Sequence, residues 1–137
     1  RLGVERLKGA YAWQRFLHEQ VPLAFGSDFP VESPNPMLGI YAAITRQDLK
    51  GQPPGGWLPD QKVSRIQALA GFTRTAAYAA FMEREVGMLK EGMRADFVVL
   101  NADPLTIPPR QVADLKPLST WVDGKAVYEA GKADAAR

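Results

Sequence analysis

The sequence predicts an α/β chain, with helices and one buried-type strand first and a small set of β-strands after them. Three observations predict it. An almost unbroken apolar run, Val21-Pro22-Leu23-Ala24-Phe25, lies between two stretches of helical spacing. Such a run suits a strand covered on both faces, as in a parallel sheet. An Ala-rich apolar stripe comes next, over 62–82. Beyond it come short apolar runs, the last two joined by Asp123-Gly124, a strong short-range hairpin signal.

Residues 4–20 read as a helix, because Leu7, Ala10, Tyr11 and Leu17 recur near three-to-four spacing while Gln14 and Glu19 face elsewhere. The strand at 21–26 tolerates Pro22 only near its start and ends at Gly26-Ser27-Asp28, where the chain must turn. After a proline-rich loop, Pro36 sits where a helix can begin. Leu38, Tyr41, Thr45 and Leu49, with Ile40 and Ile44 beside them, predict an amphipathic helix over 36–49. Residues 51–60 are loop by composition, and Asp60 is placed to cap the next helix.

The stripe at 62–82 is interrupted by Gly71 and Thr73. Two helices with a bend are expected, the second capped by Thr73. Val86–Leu89 reads as a short strand, Glu91-Gly92 as a turn and Asp96–Leu100 as a strand. Leu118–Val122 and Lys125–Tyr128 flank the hairpin turn, and the last residues read as a frayed tail. Two separate packing units are implied, neither complete. The lone strand at 21–26 leaves both hydrogen-bonding edges open.

Composition narrows the function. The 137 residues suffice for one modest domain, and the formal charge of +2 is spread without a basic block. That argues against a nucleic-acid or anionic-membrane partner. Without cysteine there are no disulfides, thiolate metal sites or cysteine nucleophile, which fits a cytoplasmic protein. No apolar run is long enough to cross a bilayer. The chain opens at Arg1 without Met and is expected to be a piece of something larger, whose upstream part could hold a signal peptide. His18 is the single histidine.

Two motifs then point the same way. One is Leu23-Ala24-Phe25-Gly26-Ser27-Asp28-Phe29-Pro30-Val31-Glu32, followed by Pro36-Met37-Leu38-Gly39-Ile40-Tyr41-Ala42-Ala43-Ile44-Thr45-Arg46. The other is Gly87-Met88-Leu89-Lys90-Glu91-Gly92-Met93-Arg94-Ala95-Asp96-Phe97-Val98-Val99-Leu100. Both resemble the C-terminal region of the amidohydrolase superfamily, in its amidohydrolase-3 (YtcJ-like) branch. Trp121–Tyr128 resembles that family's closing hairpin. The resemblance spans roughly 1–130.

The resemblance implies a C-terminal fragment of a TIM-type (β/α)8 barrel followed by part of a small β-sandwich. Residues 1–83 would be the last helix–strand–helix unit of the barrel plus its exit helices, 84–130 the C-terminal strands of the sandwich, and 131–137 a tail. A complete barrel takes about 250 residues, more than this chain holds. The implied activity is metal-dependent hydrolysis of carbon–nitrogen bonds, other than peptide bonds, in a small amide-like or cyclic substrate.

Asp28 is the one catalytic residue the resemblance places here, as ligand to a divalent metal, expected to be zinc, and as proton acceptor for the attacking water. The remaining ligands in the family, mainly histidines with a carboxylated lysine or equivalent, come from earlier strands. A missing N-terminal barrel region or a partner chain would supply them, and the chain alone is expected to be inactive. Oligomerisation into a homo-oligomer is open.

Phe29, Val31 and Glu32 come directly after Asp28 and are candidates to line a substrate pocket, with loop packing and a solvated charge as the alternative. Spacing alone favours Asp28 as a turn or capping residue, and the resemblance reverses that preference. Ser27 has no His–Asp arrangement to activate it. His18 reads as a surface or packing residue, Trp57 as a loop anchor or lid, Asp96 as structural, and Gly87 and Gly92 as turn glycines. The rival to an enzyme fragment is a non-catalytic regulatory or binding protein on the same scaffold. A self-standing binding domain is disfavoured by the unpaired strand.

Overall fold

A computed structural model describes residues 3–132. Its elements are α1 (Val4–Leu7), α2 (Trp13–His18), α3 (Pro36–Thr45), α4 (Arg65–Phe72), α5 (Arg74–Ala79), β1 (Phe97–Leu100), β2 (Pro117–Val122) and β3 (Lys125–Glu129). Short 3₁₀ turns lie at Pro59–Gln61 and Pro109–Asp114. Among the described residues no helix is long and apolar enough to cross a membrane. Residues 133–137 of the expected tail lie outside the described residues.

The helix expected over 4–20 is two short helices. Tyr11 adopts a left-handed φ of 50°, and its carbonyl accepts from Trp13 N–H at 2.9 Å and from the Arg46 guanidinium at 3.2 Å. That carbonyl is therefore diverted from the i→i+4 bond a continuous helix needs, and Gly9 just before it adds a weak helix former. Gln14 is no bystander either. It bonds to Lys62 O and Gln67 Oε1 and fastens α2 to the start of α4.

α3 begins as its residues predict. Asn35 Oδ1 accepts from Met37 N–H at 3.0 Å, and Pro36 occupies the first turn. It ends four residues early, because Arg46 turns left-handed at φ 59°, and Leu49 falls outside it, mostly exposed. The cap of α4 is Ser64, not Asp60. Ser64 Oγ accepts from Gln67 N–H while Gln67 Oε1 accepts from Ser64 N–H at 2.7 Å, a reciprocal capping box. Asp60 is held in the 3₁₀ turn before it. α4 and α5 bend at Thr73 as expected. Its hydroxyl, however, donates back to Leu69 O at 2.6 Å and caps nothing.

Val86–Leu89 is not a strand. Gly87 has φ 95° and lies so close to α5 that a Cβ there would meet the Ala77 side chain at 2.8 Å. The predicted hairpin is present. Asp123 and Gly124 both take left-handed φ (51° and 73°), the geometry of a type I′ turn. β1-β2-β3 form an antiparallel sheet in that order, with Phe97 opposite Trp121 and their rings stacked at 5.5 Å. Asp96 is structural as expected: its carboxylate accepts from Asp123 N–H at 2.7 Å and ties the head of β1 to the turn.

The buried cluster is Ile40, Tyr41, Ala43, Val63, Ala68, Val112 and Leu115. Its last two residues come from the β1–β2 connection, whose 3₁₀ turn packs on α3, so the helices and the C-terminal strands share one core. That core is small. The chain exposes 10150 Å², whereas a compact monomer of 15.1 kDa exposes roughly 7,100 Å². Phe81 is 94% exposed and Leu89 76%.

Arg46 joins three segments. Its guanidinium lies 4.5 Å from the Trp13 ring centroid and 4.9 Å from that of Trp57. Nε donates to Trp57 O at 2.9 Å and one terminal nitrogen donates to Tyr11 O. Gly56 permits this, because a Cβ there would lie 2.3 Å from Thr45 O. The residue is buried, the other terminal nitrogen has no partner among the described residues, and desolvation lowers the guanidinium pKa while Tyr11 opposes the shift. The charge is stabilised by ring faces and carbonyl oxygens in place of a carboxylate. Arg46→Ala is expected to cost about 2–4 kcal/mol in chemical denaturation. Arg46→Lys should recover less than half of it, since an ammonium has no planar face to stack on the two indole rings. Arg46→Gly should lose less than Arg46→Ala, because it relieves the left-handed backbone. A loss below about 0.5 kcal/mol for Arg46→Ala would remove the clamp from the account.

Candidate functional site

Residues 21–27 join no strand ladder among the described residues. This corrects the expected strand, and the reason is the absence of a strand on either side. Its side chains nonetheless keep a strand's period. Leu23, Phe25 and Ser27 are half-buried, while Pro22, Ala24, Gly26 and Asp28 are exposed, the alternation of a chain with one covered face. Phe25 holds the covered face. Its N–H donates to Gly71 O at 2.9 Å, and its ring lies 5.3 Å from Trp13 and 5.7 Å from Phe72. Gly71 is required at that contact, since a Cβ would lie 2.4 Å from the Phe25 ring.

Asp28 ends the bare face. It takes φ 50°, a region that Asp tolerates better than most residues. Val31 N–H donates to its carbonyl at 2.8 Å and Glu32 N–H to Ser27 O at 3.2 Å, closing the turn. The turn is therefore held by main-chain bonds. The Asp28 carboxylate has no hydrogen-bond or ion-pair partner among the described residues. Three aspartates behave differently, whereas Asp60, Asp114 and Asp123 share with Asp28 a carboxylate that has no partner among the described residues. Asp48 accepts from Lys50 and Gln52 N–H, Asp103 from Leu105 N–H, and Asp96 from Asp123 N–H. Those three hold turns, and Asp28 does not.

The remaining candidates separate. Phe29 and Val31 are exposed at 67% and 72% and line neither of the two grooves found. Glu32 lines a groove of about 510 Å³ with Ser27, Leu38, Gly39, Ala42 and Phe72, from which Asp28 is absent. The structure thus does not gather Asp28, Phe29, Val31 and Glu32 into one pocket. A smaller groove of about 260 Å³ runs beside Val21–Phe25 between α2 and α4. His18 is exposed at the end of α2, and Trp57 is the anchor of Arg46. Sequence reasoning missed Arg46 itself. The signal was present as two tryptophans flanking a cation, but their spacing of 33 and 11 residues from it carries no local pattern.

A carboxylate oxygen is a suitable donor for a divalent cation. Among the described residues, however, no three His, Cys, Asp or Glu come together. The Asp28 carboxylate could supply one ligand at most, and a four-coordinate site needs at least two more protein groups beside it.

Comparison with known proteins gives the context. The model of the amidohydrolase family matches residues 1–128. The chain is 34% identical over 129 residues to the putative amidohydrolase YtcJ of Bacillus subtilis (strain 168), covering 94% of this chain and 24% of that protein. It is 36% identical over 129 residues to the protein LONG AFTER FAR-RED 3 of Arabidopsis thaliana, covering 93% and 22%. The crystal structure of an uncharacterized metal-dependent hydrolase from Pyrococcus horikoshii OT3 superposes with a TM-score of 0.68 at 30% identity, over 80% of this chain and 22% of that one. The chain spans about a quarter of the length of the curated relatives it matches. With the family model covering nearly its whole length, the chain belongs to the amidohydrolase family.

Proposed function

We propose that the intact protein is a metal-dependent hydrolase of carbon–nitrogen bonds, other than peptide bonds, in small amide-like or cyclic substrates, and that Asp28 is its proton acceptor. In this reading residues 21–27 are the last strand of a (β/α)8 barrel, α3 is the helix after it, and β1–β3 are the C-terminal share of a small β-sandwich. The observation that carries the reading is the place of Asp28 at the end of a bare strand-like face. Active sites of such barrels gather at the C-terminal ends of the strands. Its place at that end, and not the lack of a bond, which it shares with Asp60, Asp114 and Asp123, supports the role.

A divalent cation, zinc in our reading, would supply the Lewis acidity that makes water nucleophilic near neutral pH. Asp28 would be one of its holders, and the polypeptide preceding this segment would furnish the rest. Asp28 takes the proton from the attacking water as the new carbon–oxygen bond forms, and delivers it to the leaving nitrogen as the carbon–nitrogen bond breaks. An exposed carboxylate in this chain becomes an effective base only once the barrel closes over it, because closure excludes competing water.

In the intact enzyme Asp28→Asn should lower kcat at least about a hundredfold with an unchanged melting temperature, since the side chain bonds to nothing in the fold. Turnover within a few-fold of wild type would take Asp28 out of the mechanism. The 137-residue chain alone should retain well under one equivalent of metal after dialysis, measured by elemental analysis. A stoichiometric zinc that disappears in Asp28→Asn would show that this segment carries a closed site.

A further inference from the structure

The segment that carries Asp28 is tied to the helices at one point. The bonds from Val31 N–H to Asp28 O and from Glu32 N–H to Ser27 O close the turn on itself. Among the described residues, the bond from Phe25 N–H to Gly71 O is the sole hydrogen bond between residues 22–34 and any helix. The Phe25 ring reinforces it, packed against Trp13 of α2 and Phe72 of α4.

Gly71 is buried near the end of α4. Its φ is not left-handed, so the backbone does not call for glycine there. The contact does. A Cβ at this position would stand 2.4 Å from Phe25 Cδ2 and 3.1 Å from Phe25 Cγ, at the nearer atom about 1 Å short of an ordinary carbon–carbon contact. Cγ lies on the axis of the ring, so turning the ring does not free it. A side chain at position 71 therefore has to move Phe25 as a whole.

We propose that Gly71 and Phe25 are positioning residues for Asp28, setting where its carboxylate meets the metal. The inference rests on the reading of Asp28 as a ligand at the end of a barrel strand. An N–H donated to α4 is not donated to a neighbouring strand, and a parallel ladder uses each such bond in turn. On that side the ladder of the barrel stops short of Phe25, and α4 holds the stretch that ends in Asp28. The turn at 28–32, closed on itself, follows Phe25 as a unit. A zinc–carboxylate bond of about 2.1 Å does not tolerate a shift of about 1 Å in its ligand.

The test is metal binding by the intact protein, with cobalt(II) as the probe because its visible absorption reports its ligands. Asp28→Asn should weaken cobalt binding and change the band. Gly71→Ala should weaken binding about tenfold and change the band in the same sense. Adding Phe25→Leu to Gly71→Ala should restore most of the affinity, because leucine yields where the ring cannot. Gly87→Ala places a Cβ 2.8 Å from the Ala77 side chain, at a helix contact that does not include Phe25. It should lower the melting temperature and leave cobalt affinity and band unchanged. If Gly71→Ala does not fold, Phe25→Ala decides: it keeps the N–H but releases the ring from α2 and α4, and should also weaken cobalt about tenfold. Wild-type affinity and band in Gly71→Ala, or in Phe25→Ala where that variant decides, would overturn the proposal. An equal loss in Gly87→Ala would do the same, since general destabilisation would then account for the effect. Either result leaves Asp28 as a ligand so long as Asp28→Asn changes the band. An unchanged band in Asp28→Asn would remove the ligand and the positioning role together.

Discussion

The chain turns on a buried cation that has no anion. Arg46 ends α3, and from that one position it reaches the turn before α2 through Tyr11 and the glycine-rich loop through Trp57. The two indole rings on its guanidinium replace the counter-ion that a buried charge otherwise demands. Several local features arise from this demand. α3 stops at Thr45, the first helix breaks at Tyr11, and Gly56 has no room for a side chain. Other contacts join the same segments, among them Trp57 N–H to Arg46 O at 2.8 Å and the edge-to-face pair of Tyr11 and Trp57 at 5.8 Å.

That clamp fixes the position of Trp13, and Trp13 in turn backs Phe25. The segment carrying Asp28 is thus held from one side only. Phe25 and Ser27 are pressed toward α4 and the groove, and Ala24, Gly26 and Asp28 are left facing outward. A surplus of some 3,000 Å² of exposed surface over a compact monomer of this mass is the same fact on the scale of the whole chain. Apolar side chains such as Phe81 and Leu89 stand in water where a folded protein of this size normally covers them.

The parts legible in the sequence were those encoded by neighbouring residues. Asp123-Gly124 sets its own turn through two left-handed residues, Pro36 after Asn35 starts α3, and Thr73 marks the bend between α4 and α5. Where distant residues decide, local reading failed. Nothing near Tyr11 says that Arg46, 35 residues on, will take its carbonyl. Nothing near Asp60 says that Ser64 and Gln67 will form the cap. Val86–Leu89 has strand composition, but the approach of Gly87 to α5 overrides it. The site divided along the same line. Asp28 was read from a motif and its carboxylate has no partner among the described residues, while Glu32 borders a groove that Phe29 and Val31 do not line.

The alternation along 22–28 therefore does more than orient one carboxylate. A segment whose odd residues are anchored and whose even residues are bare presents two chemically different faces from a single backbone. On the anchored side Ser27 and Glu32 border an apolar groove with one uncompensated negative charge. On the bare side Asp28 offers the same kind of charge beside the small residues Ala24 and Gly26. A one-residue shift along the backbone would exchange these faces, bringing Ser27 to the place of Asp28. The bond from Phe25 N–H to Gly71 O, and the lack of a Cβ on Gly71 that allows it, is the contact that forbids the slip. The position of the carboxylate is thus decided by the contact of Phe25, three residues before it, with Gly71.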